Sequence, residues 1–146
     1  VSRDVQNITH TSTGANYFFV EDLKGADAGY YTYLQLDHFI TASGGVIPTV
    51  NVKAYVDVTG TGSGLMTVAG NDNPRVYIPS SSGSYIGSGF QSLADPVTLI
   101  KRDNAANFGV VGKYATLPQF KVTIPAYQTV GLYTGTLTYT LVENGI

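Results

Sequence analysis

The sequence predicts an all-β protein, a single antiparallel β-sandwich, and three observations carry that prediction. Every strong apolar periodicity has period two, the repeat of a half-buried strand rather than of a helix. Short segments rich in Gly, Ser, Asn and Asp separate these runs and have the chemistry of turns. No stretch holds an apolar stripe at helical spacing for more than about one turn. The 146 residues make one domain, long enough to bury a core.

Taken in order, Tyr17 and Phe19 share a face of the first strong run. Tyr30, Thr32, Leu34 and Leu36 follow, opposed by Tyr31, Tyr33, Gln35 and Asp37. Val50, Val52, Ala54, Val56 and Val58 then alternate with Asn51, Lys53, Tyr55 and Asp57. Shorter runs occupy Leu65–Ala69, Val76–Ile78, Val97–Ile100 and Gly109–Tyr114, and Gln91–Asp95 reads as one short helical turn. Phe120, Val122 and Ile124 alternate with Lys121 and Thr123. The chain closes on a ladder with Tyr133, Gly135, Leu137, Tyr139 and Leu141 on one side and Thr134, Thr136, Thr138 and Thr140 on the other. Between the runs lie GTGSG (60–64), NDNP (71–74), SSSGSYIGSG (80–89) and RDNAAN (102–107). The pattern predicts about eight or nine strands in an immunoglobulin-like or jelly-roll-like sandwich over residues 14–146. Residues 1–13 form an extended N-terminal segment. The expected core is Leu34, Leu36, Val52, Val56, Val122, Ile124, Leu137 and Leu141.

Composition narrows the function classes. Charged residues are 12% of the chain, about half the usual share, and the net charge is −2 without a basic cluster. Nucleic acid and anionic membrane surfaces are therefore poor partners. No apolar run reaches the ~20 residues of a membrane-spanning helix. The absence of cysteine removes disulfides and thiolate metal sites. A first residue of Val1 fits a chain processed from a longer precursor. Low charge with abundant Thr, Ser, Gly and Tyr fits an extracellular protein.

Catalytic chemistry has no visible constellation. His10 and His38 have no Asp, Glu or His at a metal-ligand spacing, and read as polar residues of a strand or loop. No G-x-S-x-G elbow is present. Glu21 and Asp22 are adjacent, so on a strand they point to opposite faces and cannot act as a pair. The glycine-rich segments lack a phosphate-loop lysine. The expectation is a protein that is not an enzyme and carries no cofactor. Calcium is the more plausible ion, because it takes oxygen ligands from loops and Asn71-Asp72-Asn73 and Asp103-Asn104 supply such oxygens, although these residues more often cap turns. Asn7-Ile8-Thr9 matches the N-glycosylation sequon. Eleven tyrosines without a tryptophan are the unusual feature of the composition. Tyr30, Tyr133 and Tyr139 run with leucines and belong to the core. Tyr31, Tyr33 and Tyr55 run with polar residues and are the candidates for contact with a glycan or a partner.

Two stretches carry a family resemblance. GADAGYYTYLQLDHF (25–39) and FKVTIPAYQTVGLYTGTLTYTLVENG (120–145) resemble the two signature regions of WxL-type bacterial surface domains. Tyr30 and Tyr139 stand where that family has its tryptophans. The resemblance implies a secreted β-sandwich displayed at a cell surface. The tryptophans that the family associates with peptidoglycan attachment are not present.

Together these readings point to a structural subunit of an extracellular filament or surface layer, with copies of itself as partners. Residues 1–13 have the length to add a strand to a neighbouring copy, with Val5 and Ile8 seated in apolar pockets. The alternative is a surface module that binds cell-wall polysaccharide or another carbohydrate through its tyrosines.

Overall fold

A computed structural model describes residues 4–11, 17–59 and 64–144, though not the side chains of residues 10 and 11. The strands are β1 (Gln6–Thr11), β2 (Phe18–Asp22), β3 (Tyr30–Leu36), β4 (Phe39–Ile40), β5 (Val46–Ile47), β6 (Val52–Tyr55) and β7 (Leu65–Gly70). They continue as β8 (Val76–Tyr77), β9 (Gln91–Ser92), β10 (Val97–Arg102), β11 (Gly112–Thr116), β12 (Gln119–Ile124) and β13 (Leu137–Glu143). Among the described residues, the thirteen strands exceed the expected eight or nine because four of them are only two residues long. The sheets run β1-β12-β6-β9, β13-β3-β10-β8 and β2-β11-β7, with β4 and β5 forming a small hairpin. All pairings are antiparallel. The all-β antiparallel architecture is the one the period-two runs predict.

The core forms where the inward faces of these sheets meet. Leu34, Leu36, Val52, Ala54, Val56, Leu99, Ile100 and Tyr114 are buried in one cluster, and Phe18, Phe120, Val122 and Tyr139 pack against its margin. A bulge in β10 explains why Leu99 and Ile100, which are adjacent, both point inward. The register with β3 shifts between Thr98 and Lys101, and one extra residue turns the side chain that would have faced out. The Thr32 hydroxyl satisfies the backbone displaced there. It accepts from the Ile100 N–H at 3.0 Å and donates to the Ile100 carbonyl at 3.3 Å.

A second buried anchor is ionic. Arg102, 1% exposed, donates to Asp22 at 2.7 Å and to the carbonyls of Ala26 and Phe108. One guanidinium thereby ties the end of β2 and the loop beyond it to β10 and the 103–109 loop. These contacts offset the desolvation of the buried charge, while its Nε is buried without a partner among the described residues.

Several expectations are corrected. The run expected from Val50 begins as a strand only at Val52, because Pro48 starts a 3-10 turn over Thr49–Asn51 in which the Asn51 N–H bonds the Pro48 carbonyl at 2.9 Å. Gln91 and Ser92 form a short strand beside β6 rather than a helical turn. Among the expected core residues, Leu34, Leu36, Val52 and Val56 are buried, but Val122 and Ile124 are half-buried. Leu137 and Leu141 are 37% and 56% exposed. Their direction is nonetheless the one expected, since they lie opposite Leu36 and Thr32 on the inward face of β3. What they lack is cover, because β13 is the end strand of its sheet.

Candidate interaction surfaces

The N-terminal strand is attached by its main chain. β1 pairs with β12 from Gln6↔Ile124 to Thr11↔Gln119, and all side chains described from residue 4 to residue 9 are exposed. Val5 is 58% and Ile8 53% exposed, so neither is seated in an apolar pocket of its own chain. Ile8 lies within β1, whereas Val5 precedes its first residue. Asn7 is exposed and accepts a hydrogen bond from the Thr123 hydroxyl at 2.8 Å.

The outward face of the β13-β3-β10-β8 sheet carries an aromatic platform. Tyr31 and Tyr33 lie two residues apart on β3, with ring centroids 6.2 Å apart. Lys101 lies opposite both Tyr31 and Tyr77. A groove of about 270 Å³ opens here among Tyr31, Tyr77, Tyr85, Thr98, Lys101 and Ser81. Its polar atoms are linked: the Tyr77 hydroxyl donates to the Asp103 carboxylate at 3.1 Å, and Lys101 lies 3.3 Å from the same group. Burial and then the Asp103 hydrogen bond push the Tyr77 phenol above its ordinary value. Partial burial pulls Lys101 down, but its contacts with Asp103 and Tyr77 outweigh that and hold it protonated more firmly than usual.

The structure thus unites Tyr31 and Tyr33 and separates Tyr55 from them. Tyr55 belongs to β6, in another sheet, and packs on Phe90 at 5.4 Å. Sequence reasoning missed Tyr77, Tyr85 and Lys101. The signal for Tyr77 was available in the VYI run, where Tyr77 has the opposite parity to Val76 and Ile78; nothing local marks Tyr85, which sits in an irregular segment. Of the leucine-associated tyrosines, Tyr30 is buried, whereas Tyr133 and Tyr139 are half-buried.

The remaining candidates are engaged elsewhere. His38 Nδ1 accepts from the Thr49 N–H at 3.4 Å; the side chain of His10 lies outside the described residues. Asn73 caps its own turn, donating to the Phe108 carbonyl at 2.8 Å and accepting from the Arg75 N–H at 3.0 Å. The Asn104 carboxamide oxygen accepts from the Gly29 N–H. Among the described residues, no three His, Asp or Glu side chains converge as a metal site. No described helix is long and apolar enough to cross a membrane.

Fold and surfaces together define an antiparallel all-β protein whose distinctive features are a main-chain-held terminal strand and an aromatic sheet face. Compared with known protein families, curated proteins and solved structures, the chain matches none.

Proposed function

We propose that this protein is a structural subunit of an extracellular surface filament or layer, polymerising head-to-tail by exchange of its N-terminal strand. The observation that carries the reading is the manner in which β1 is held. Its ladder to β12 is continuous over six positions, yet residues 4–9 bury no side chain. Moving β1 from its own β12 to the β12 of a neighbour replaces one set of main-chain hydrogen bonds by an identical set and empties no part of the core. Because donor and acceptor are different surfaces, the contact is heterologous and propagates as a filament wherever exchange is not reciprocal and the rotation between successive copies does not close a ring. Low charge and a Thr-, Gly- and Tyr-rich composition support an extracellular setting. Deleting residues 1–13 is expected to leave a folded chain that no longer forms filaments in negative-stain electron microscopy. Filaments of undiminished length from the truncated chain would refute strand exchange.

A second reading is favoured by a separate observation, the Tyr31–Tyr33 platform and its groove. Half-buried aromatic rings on an outward sheet face, beside linked polar groups, suit the flat apolar faces and hydroxyls of sugar rings. On this reading the protein binds cell-wall polysaccharide. Co-sedimentation with purified wall material, abolished by Tyr31→Ala with Tyr33→Ala, is the expected result; equal retention of the double variant counts against it.

A further inference from the structure

We infer that the free edge of β13 is a self-recognition site, where a second copy of this chain docks its own β13 antiparallel and joins two four-stranded sheets into one. The first observation concerns the main chain. β13 is the end strand of its sheet and pairs only with β3 among the described residues. The Asn144 N–H bonds the Gly29 carbonyl at 2.9 Å, and the Thr136 carbonyl accepts from the Asp37 N–H at 3.0 Å. In the same register, the even-numbered residues of β13 direct their N–H and C=O groups toward β3. Leu137, Tyr139 and Leu141 therefore present theirs to the open edge.

The second observation is in the sequence of that edge. Leu137-Thr138-Tyr139-Thr140-Leu141 reads the same in both directions. An antiparallel pairing about a two-fold axis at Tyr139 sets Tyr139 against its own copy, and Leu137 and Leu141 each against the other residue of the partner strand. In this register every unpaired N–H and C=O of those three residues meets a partner, because narrow pairs exchange two hydrogen bonds each. The leucines gain what their own chain does not supply. At 37% and 56% exposure they lie on the inward face of the sheet, and the partner's leucines would lie beside them on that face. Thr138 and Thr140 meet across the outward face as threonine pairs, which are favourable neighbours on a sheet.

Third, the edge lacks the devices that keep sheet ends apart. From Leu137 to Val142 there is no charge and no proline, and the register with β3 runs without a bulge. The other end strands differ: β4, β5, β8 and β9 are two residues long, β7 is interrupted by a register shift, and β2 carries two carboxylates, Glu21 and Asp22, where β13 carries one, Glu143, at its last position. A palindromic edge singles out another β13 as occupant. β1 is a poorer fit, since Gln6–Thr11 offers Ile8 as its only large apolar side chain.

Such a contact is isologous and closes as a dimer. It is independent of strand exchange, which uses β1 and β12, and where both operate it would join filaments side by side.

The test uses the absence of cysteine from the chain. Thr138→Cys and Thr140→Cys variants are made separately, since in the dimer these two positions face each other with Cα atoms about 4.5 Å apart, within disulfide reach. Mild oxidation of an equal mixture is expected to give a covalent heterodimer in several-fold greater yield than either variant alone. The same result is expected after residues 1–13 are deleted, so loss of filaments and loss of this dimer are scored separately. Equal yields from mixture and single variants, loss of the cross-link on deleting residues 1–13, or a wild-type chain that sediments as a monomer when residues 1–13 are deleted, at concentrations up to about 1 mM, would overturn the proposal.

Discussion

At the scale of single residues, the polar groups inside the core have the sharpest consequences. Thr32 serves the bulge in β10 through both hydrogen bonds of its hydroxyl, to the N–H and the carbonyl of Ile100. Thr32→Val keeps the shape but orphans a buried N–H, at a cost of about 1–3 kcal/mol. A drop in the urea midpoint at constant m-value is the expected readout, and an unchanged midpoint would show that the bulge satisfies itself. Tyr30 presents the opposite case. Its hydroxyl is buried and finds no hydrogen-bond partner among the described residues, so removing it relieves a desolvated group. Tyr30→Phe should raise the melting temperature, by an amount equivalent to about 1 kcal/mol. Arg102 has no tolerant replacement of this kind. Arg102→Met leaves Asp22, itself largely buried, without its cation, and should destabilise by about 3–5 kcal/mol. The double variant with Asp22→Asn should recover a substantial part of that loss, which thermal melts of the single and double variants would measure.

At the scale of elements, what was legible in the sequence was direction, and what was not was cover. Period-two alternation assigned Leu34, Leu36, Val52 and Val56 to the core and also set Leu137 and Leu141 on the inward side of their strand, correctly in each case. Alternation records which way a side chain points from its own backbone. Whether another sheet lies above it depends on strand order, a long-range property that a local pattern does not contain. β3 and β13 have equally clean ladders, yet β3 is flanked on both sides and β13 on one. The candidate platform divides on the same line. Tyr31 and Tyr33 share a strand, so their adjacency was readable, whereas Tyr77 joins them only through the pairing of β8 with β10. Tyr55 shared their polar parity but belongs to another sheet. Partial exposure also sets the magnitude for the end strand. Leu137→Ala removes a side chain that already touches water, and should cost about 1 kcal/mol. Leu34→Ala, in the sealed core, should cost about 2–5 kcal/mol. Equal losses in urea denaturation of the two variants would mean that β13 is covered in solution.

At the scale of the whole molecule, the concentration of tyrosine makes stability depend on alkaline rather than on neutral pH. Burial raises the phenols of Tyr30, Tyr114 and Tyr139 above the ordinary value of 10.0, with Asp22 adding to the shift of Tyr114, and burial with the Asp103 hydrogen bond does the same for Tyr77. These groups stay neutral in the fold at a pH where the unfolded chain has begun to ionise them. Below about pH 10 both states hold the phenolic proton, and the tyrosines contribute no pH dependence. As the pH rises past that value the unfolded state binds fewer protons than the native state, and stability falls by as much as ~1.4 kcal/mol per pH unit for each such group. Lys101 acts with the same sign, because its contacts with Asp103 and Tyr77 favour a charge that alkali removes. The urea midpoint should therefore be flat through neutral pH and fall steeply above about pH 10. Tyr30→Phe, already expected to stabilise, should also lessen that slope, since it deletes the most strongly shifted phenol without touching Lys101. A slope identical in wild type and Tyr30→Phe would show that Tyr30 does not carry the alkaline transition and would leave it to Tyr77, Tyr114, Tyr139 and Lys101.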